Sequence, residues 1–134
     1  MSLLRRVLYL QALTSAVVAV ALIGFPRFLL VSVLAQPEYP DYAWVRLAGV
    51  GALSLALVMV LVGHRAEDLW WWAWAFVVGT AGSAAVLTLH AAFGLPPGAA
   101  AWAWWIAAVG TWGFAGALLW GISRAGLEPP AEGP

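Results

Sequence analysis

The sequence predicts an all-α integral membrane protein in which four transmembrane helices form an antiparallel bundle. Of the 134 residues, 64% are hydrophobic and only 9% are charged, which is more apolar surface than a soluble domain of this length can bury in one core. A membrane span needs about 20 mostly apolar residues, because it crosses roughly 30 Å of hydrocarbon at about 1.5 Å per residue. Four stretches meet this requirement, at about 7–24, 43–63, 69–93 and 100–121.

Short joints between the spans indicate how neighbouring helices run. Glu67 and Asp68 precede the third span, where acidic side chains favour the positive end of a helix. Pro96 and Pro97 force an extended turn before the fourth span. Because both joints are tight, we expect these consecutive helices to be antiparallel.

The joint between spans 1 and 2 is longer and contains an apolar segment, residues 27–35, that is too short to cross a bilayer. We expect it to form a short interfacial helix, ended by Pro37 and Pro40. A signal peptide cleaved after Ala35 is the competing interpretation, but Pro26 interrupts the apolar run well before that point.

The tail and the arginines predict how the chain is oriented. Residues 125–134 lack an apolar face and are expected to be disordered, which leaves 1–124 as the membrane bundle. Cytoplasmic ends of spans are enriched in arginine. Four arginines fall on one side and two on the other: Arg5, Arg6, Arg65 and Arg124 against Arg27 and Arg46. Both termini are therefore expected in the cytoplasm. The absence of lysine and asparagine, with plentiful alanine, glycine and arginine, is typical of a GC-rich bacterial genome, so the membrane is predicted to be a bacterial inner membrane.

Composition also narrows the function. Six arginines balance six acidic residues, so no net field would attract nucleic acid. Without cysteine there can be no disulfide, thiolate nucleophile or iron–sulfur cluster. The polar residues within the spans include no carboxylate, which a proton-coupled or cation-coupled carrier usually needs. They are Gln11, Thr14, Ser15, Arg46, Ser54, Thr80, Ser83, Thr88, His90 and Thr111. We expect most of the hydroxyls to bond to their own helix and to serve packing.

The sequence is rich in tryptophan, with ten residues, and nine of them lie at predicted span ends. Five mark the predicted inner boundary and four the outer one: Trp70, Trp71, Trp72, Trp74 and Trp120, then Trp44, Trp102, Trp104 and Trp105. This distribution is typical of an aromatic belt at the headgroups. Trp112 is near the middle of the fourth span, where its indole N–H needs a partner or faces a cavity.

Small residues at helical spacing predict where helices approach closely. The expected stripes are Ala48, Ala52 and Ala56 on the second span, Gly79 and Ser83 on the third, and Ala103, Gly110, Gly113, Ala117 and Gly121 on the fourth. They could pack within the chain or form a homodimer face.

The candidate ligand-binding residues are Arg46, His90, Trp102 and Trp105. Arg46 and His90 each lie about one turn from the outer end of their spans, so we expect them at similar depth. Together they would suit a lipid headgroup, a quinone carbonyl or a small anion, with the two indoles covering its apolar part. The alternative is that Arg46 reaches the headgroups or pairs with Glu38 or Asp41, and that His90 is an ordinary interior imidazole.

The second span resembles the corresponding helix of DoxX-like and related bacterial four-helix membrane proteins. The resemblance rests on residues 45–53, Val-Arg-Leu-Ala-Gly-Val-Gly-Ala-Leu, and on the closing Gly63-His64-Arg65. It implies the four-helix fold. Some members of that family are linked to quinone-dependent oxidation, but the first span here has no matching motif, so the resemblance implies no catalytic residue.

These observations favour a non-enzymatic accessory or assembly subunit, or a lipid-binding bundle, with no resident cofactor. The alternative is a subunit of a membrane oxidoreductase that binds a quinone or a lipid headgroup. A haem bridging two copies of His90 is a further alternative. The expected partners are membrane lipids, a larger membrane complex or a second copy of the chain.

Overall fold

The computed structural model describes residues 2–125, and every regular element in that range is helical. Five α-helices follow in chain order: α1 (Ser2–Gly24), α2 (Ala43–His64), α3 (Ala66–Leu69), α4 (Ala73–Leu89) and α5 (Ala101–Ala125). A 3-10 turn, Trp70–Trp72, joins α3 to α4, and a π-helical turn, His90–Gly94, follows α4. Another π-helical turn, Phe28–Val33, occupies the segment expected at the membrane surface. Residues 126–134 of the expected disordered tail lie outside the described residues.

Four helical segments are long and apolar enough to cross a membrane: Ser2–Gly24, Ala43–His64, Ala66–Gly94 and Ala101–Ala125. The shortest has 22 residues, which corresponds to about 33 Å of helix. For residues 2–125, the prediction of an all-helical chain with four such segments is confirmed. α1 begins at Ser2, before the apolar stretch predicted from 7, because a helix continues through charged residues such as Arg5 and Arg6, which hydropathy leaves out.

The core is formed by residues of α1, α2, α4 and α5, and α1 is central to it. Leu4 and Leu8 of α1 and Leu118 of α5 are completely buried. At Gly49 of α2, an added Cβ would lie 2.8 Å from Ile23 Cγ1 and 3.0 Å from the carbonyl oxygen of Ala19. At Gly121 of α5, an added Cβ would lie 3.1 Å from Leu4 Cα. These glycines allow α1 to approach two other helices closely.

The prediction that small residues on α5 pack against other helices of the chain is wrong for two glycines. Gly110 and Gly113 are exposed, and among residues 2–125 no atom of another helix lies within 4 Å of an added Cβ at either position. On α2, Ala48 is exposed and Ala56 is buried, so that stripe turns only partly inward. The helices are apolar on all sides, and the spacing of small residues therefore does not determine which side faces the core.

Charged contacts join the ends of the helices. At one end, Arg5 Nε donates to the carbonyl oxygen of Gly63 at 3.0 Å, and its Nη2 lies 2.9 Å from Glu67 Oε1. The start of α1 is therefore beside the end of α2 and the start of α3. At the other end of α1, Arg27 Nε donates to Glu38 Oε1 at 2.8 Å. The hydrogen bond and the charge of Glu38 raise the pKa of Arg27 above its usual value, so this guanidinium stays charged.

Candidate functional site

A groove of about 240 Å³ lies between α1, α2 and α4, and we call it the central groove. Its lining includes Gln11 and Ser15 of α1, Ala52 and Met59 of α2, and Gly79 and Thr80 of α4. It reaches the protein surface on α4, where Gly79 is exposed. Gln11 lies five residues beyond Arg6, which places it about 8 Å further along α1 than the last arginine.

A buried polar pair is part of the groove. Gln11 and Thr80 are only 6% and 7% exposed. Gln11 Nε2 donates a 2.7 Å hydrogen bond to Thr80 Oγ1 and so joins α1 to α4. The other amide atom, Gln11 Oε1, is buried and has no hydrogen-bond partner among the described residues. A buried polar atom without a partner costs about 1 to 3 kcal/mol, so such an atom on a groove points to a ligand.

Two hydroxyl groups near Gln11 already donate to their own helices. Ser83 also lines the groove, and its hydroxyl donates to the carbonyl oxygen of Gly79 at 2.8 Å. Thr14, the next hydroxyl residue along α1, donates to the carbonyl oxygen of Leu10 at 2.9 Å. Gln11 Oε1 is therefore a buried acceptor that a bound molecule could use, beside the hydroxyl of Ser15, which also lines the groove.

A wider depression of about 470 Å³ lies on the surface of α4 and α5. Trp74, Gly116 and Trp120 form much of its wall. Its hydroxyl residue, Ser123, donates to the carbonyl oxygen of Trp120 at 2.8 Å. This depression has no comparable free polar atom, and it is therefore a weaker candidate than the central groove.

The structure distributes the four residues predicted from the sequence over exposed and half-buried positions. Arg46 lies in the first turn of α2 and is exposed, as are Trp102 and Trp105 near the start of α5. His90 is half-buried and packs its ring against Trp104, with the two ring centroids 4.5 Å apart in an edge-to-face arrangement. The described residues show no hydrogen bond between Arg46 and His90. That these four residues bind a ligand stays a prediction.

The acidic neighbours considered for Arg46 contact other groups. Glu38 accepts from Arg27, and Asp41 Oδ1 accepts from the backbone N–H of Ala43 at 3.0 Å. Beside His90, the indole Nε1 of Trp104 is buried and has no hydrogen-bond partner within residues 2–125. The outer end of α5 therefore also has a free polar atom, but it is a donor.

Trp112 has a hydrogen-bond partner on α4, and most of the other tryptophans are exposed. The indole N–H of Trp112 was expected to need a partner, and it donates to Thr88 Oγ1 on α4 at 3.2 Å. Seven of the nine tryptophans expected in the aromatic belt are exposed: Trp44, Trp71, Trp72, Trp74, Trp102, Trp105 and Trp120. That they lie at the headgroups stays a prediction.

The Gln11–Thr80 pair was missed, although the sequence contains a signal for it. Leu4, Leu8, Gln11 and Ser15 follow one another at intervals of four, three and four residues, so they share one face of α1. The first three are buried. A polar residue at this spacing after two leucines indicates a polar group that faces the core.

Within residues 2–125, no three side chains of His, Asp or Glu come together in a way that could hold a metal ion. No protein-family model, curated protein or solved structure matches the chain.

Proposed function

We propose that this chain is a non-enzymatic protein of the bacterial inner membrane that binds a lipid in the central groove. The observation that carries the proposal is the buried pair of Gln11 and Thr80, which lines a groove among apolar helices and leaves the amide oxygen of Gln11 without a hydrogen-bond partner among the described residues. A lipid is the natural occupant because a groove that reaches the surface of a membrane-spanning helix is open to the acyl chains of the bilayer.

The dimensions of the groove support a lipid more than a large cofactor. Its volume of about 240 Å³ exceeds the roughly 150 Å³ cavity that holds a benzene molecule and falls below the range of roughly 300 to 1,000 Å³ that is usual for drug-sized ligands. A section of one lipid molecule fits this space. The exposed backbone at Gly79 provides a lateral entrance, since no side chain covers it.

The groups in the groove support binding without chemical turnover. Gln11, Ser15, Thr80 and Ser83 supply amide and hydroxyl groups. None of these is a general acid or base near neutral pH, and none has an adjacent base that would activate a hydroxyl as a nucleophile.

We propose that the four long helices cross the membrane as an antiparallel bundle with both termini in the cytoplasm. The contact of Arg5 with Gly63 and Glu67 supports a common side for the start of α1 and the end of α2. The arginine count supports the cytoplasm as that side. The segment around Phe28–Val33 would then lie on the outer surface. The resemblance to DoxX-like proteins agrees with the four-helix fold.

The second candidate function is that of a subunit of a membrane oxidoreductase, with a quinone or lipid headgroup bound near the outer end. The observation that favours it is the free indole N–H of Trp104 beside His90, because a buried donor suits a carbonyl or phosphate oxygen. Arg46, Trp102 and Trp105 would be at a similar level. A larger membrane complex or a second copy of the chain would be the partner.

Filling the groove tests lipid binding. Gly79→Leu places a branched side chain at the entrance, where an added Cβ meets no atom within 4 Å, so the variant should fold. Gly113→Leu makes the same change at another exposed glycine with open space. Native mass spectrometry after mild extraction should show a bound lipid in the parent and in Gly113→Leu but not in Gly79→Leu. Equal lipid content in all three proteins would contradict the proposal.

A further inference from the structure

The hydrogen-bonding capacity of Gln11 determines what kind of lipid the groove can hold. A glutamine amide has two N–H donors and one oxygen acceptor. One donor is used by Thr80 Oγ1, and the acceptor Oε1 is free and buried. A ligand that satisfies Oε1 must therefore bring a hydrogen-bond donor.

This requirement divides the polar groups of lipids into those that can donate a hydrogen bond and those that can only accept one. Ester carbonyls, ether oxygens and doubly esterified phosphates at neutral pH offer only acceptors, and they would leave Gln11 Oε1 without a partner. A hydroxyl group offers a donor in addition to its oxygen.

The depth of Gln11 agrees with a hydroxyl close to the membrane surface. It lies about 8 Å along α1 from Arg6, which is exposed at the charged end of the helix. The groove also contains apolar residues of α2, such as Met59 and Ala52. A lipid with a small hydroxyl head and an apolar tail could contact both kinds of surface.

We propose that the central groove selects a lipid with a free hydroxyl group, and that this hydroxyl donates a hydrogen bond to Gln11 Oε1. This inference rests on the proposed lipid-binding function. A diacylglycerol and a long-chain alcohol share the required chemistry.

The test compares each lipid with a version that cannot donate. The parent protein in phosphatidylcholine nanodiscs is titrated with oleyl alcohol, with dioleoylglycerol and with the methyl ether of each. The ether keeps the oxygen and the tail but loses the donor. We expect at least one of the two hydroxyl lipids to bind about tenfold more tightly than its ether, since one hydrogen bond to a buried partner contributes on the order of that factor.

A variant then assigns the preference to Gln11. Gln11→Met keeps a long unbranched side chain but removes the amide, and it should bind hydroxyl lipid and ether equally. Thr111→Ala is the control, because Thr111 is on α5 and its hydroxyl donates to its own helix at Ala107. It should keep the full preference. If Gln11→Met fails to fold, the comparison of hydroxyl lipid and ether in the parent still decides the question.

The outcomes distinguish the two proposals. Binding of hydroxyl lipids and ethers with equal affinity by the parent would overturn the hydroxyl selection and leave lipid binding intact. Binding of none of the four lipids would overturn both proposals. A preference that persists unchanged in Gln11→Met would show that another group accepts the hydrogen bond, and it would overturn the assignment to Gln11.

Discussion

Gln11 of α1 donates a 2.7 Å hydrogen bond to Thr80 of α4, a residue 69 positions further along the chain. Both side chains are buried, and together with Ser15 and Ser83 they form the polar part of the central groove. The pair joins two helices that α2 separates in sequence, and it leaves one acceptor, Gln11 Oε1, for a ligand.

Substitutions of Gln11 and of Thr80 should lower the free energy of unfolding by different amounts. Thr80→Val leaves Gln11 with two unsatisfied amide atoms and should lower the free energy of unfolding by about 1 to 3 kcal/mol. Gln11→Met should cost less, because it removes both amide atoms and Thr80 can turn its hydroxyl to its own helix. Thermal unfolding in detergent measures the difference, with Thr14→Ala as the exposed control on α1. A larger loss in Gln11→Met than in Thr80→Val would contradict the described pair.

A matched pair of glycines on α2 tests the close approach of α1 and α2. Gly49→Ala should destabilise the protein by about 1 to 3 kcal/mol, since its Cβ would come within 3.0 Å of the backbone oxygen of Ala19. Gly51→Ala should be neutral or slightly stabilising, because its Cβ meets no atom within 4 Å and alanine favours a helix. Unfolding temperatures of the two variants check this. Equal effects would mean that α2 is rotated relative to the structure.

Two tryptophans should respond differently to the loss of the indole N–H. Trp112→Phe removes the hydrogen bond to Thr88 and should cost about 1 kcal/mol. The penalty stays small because Thr88 still donates to the carbonyl oxygen of Ala84 at 2.7 Å. Trp71→Phe, at an exposed position, should change stability by less than about 0.5 kcal/mol. If both substitutions proved equally harmful, Trp71 would have to be part of the packed interior.

The proposed orientation can be tested by labelling single cysteines in intact cells. His64→Cys is at an exposed position at the end of α2 and should react only with reagents that enter the cytoplasm. Ala99→Cys, in the joint before α5, should react with impermeant reagents added outside. The reverse pattern would invert the topology, although the groove and its lining would be unchanged.

The spans could be predicted because their apolar length follows from the thickness of a membrane, whatever the helices pack against. The rotation of each helix could not. Gly49 and Gly113 are both glycines in apolar helices, yet only Gly49 meets a neighbour. In a chain that is apolar on every side, hydropathy contains little information about which face is inside.

The polar sites show the same contrast. The need of Trp112 for a partner could be predicted, because an indole N–H near the middle of an apolar span has no water to bond to. The partnership of Gln11 with Thr80 depends on the relative height of α1 and α4, which the sequence does not specify. The spacing of Gln11 after Leu4 and Leu8 predicts its burial but not its partner.

The most direct test of lipid binding in the central groove is photocrosslinking with a diazirine-bearing diacylglycerol, followed by mapping of the labelled residues. We predict crosslinks concentrated on α1 and α4 around Gln11 and Thr80, and their loss in Gly79→Leu but not in Gly113→Leu. Labelling spread evenly over the exposed faces of the helices, and unchanged in Gly79→Leu, would contradict the proposed function.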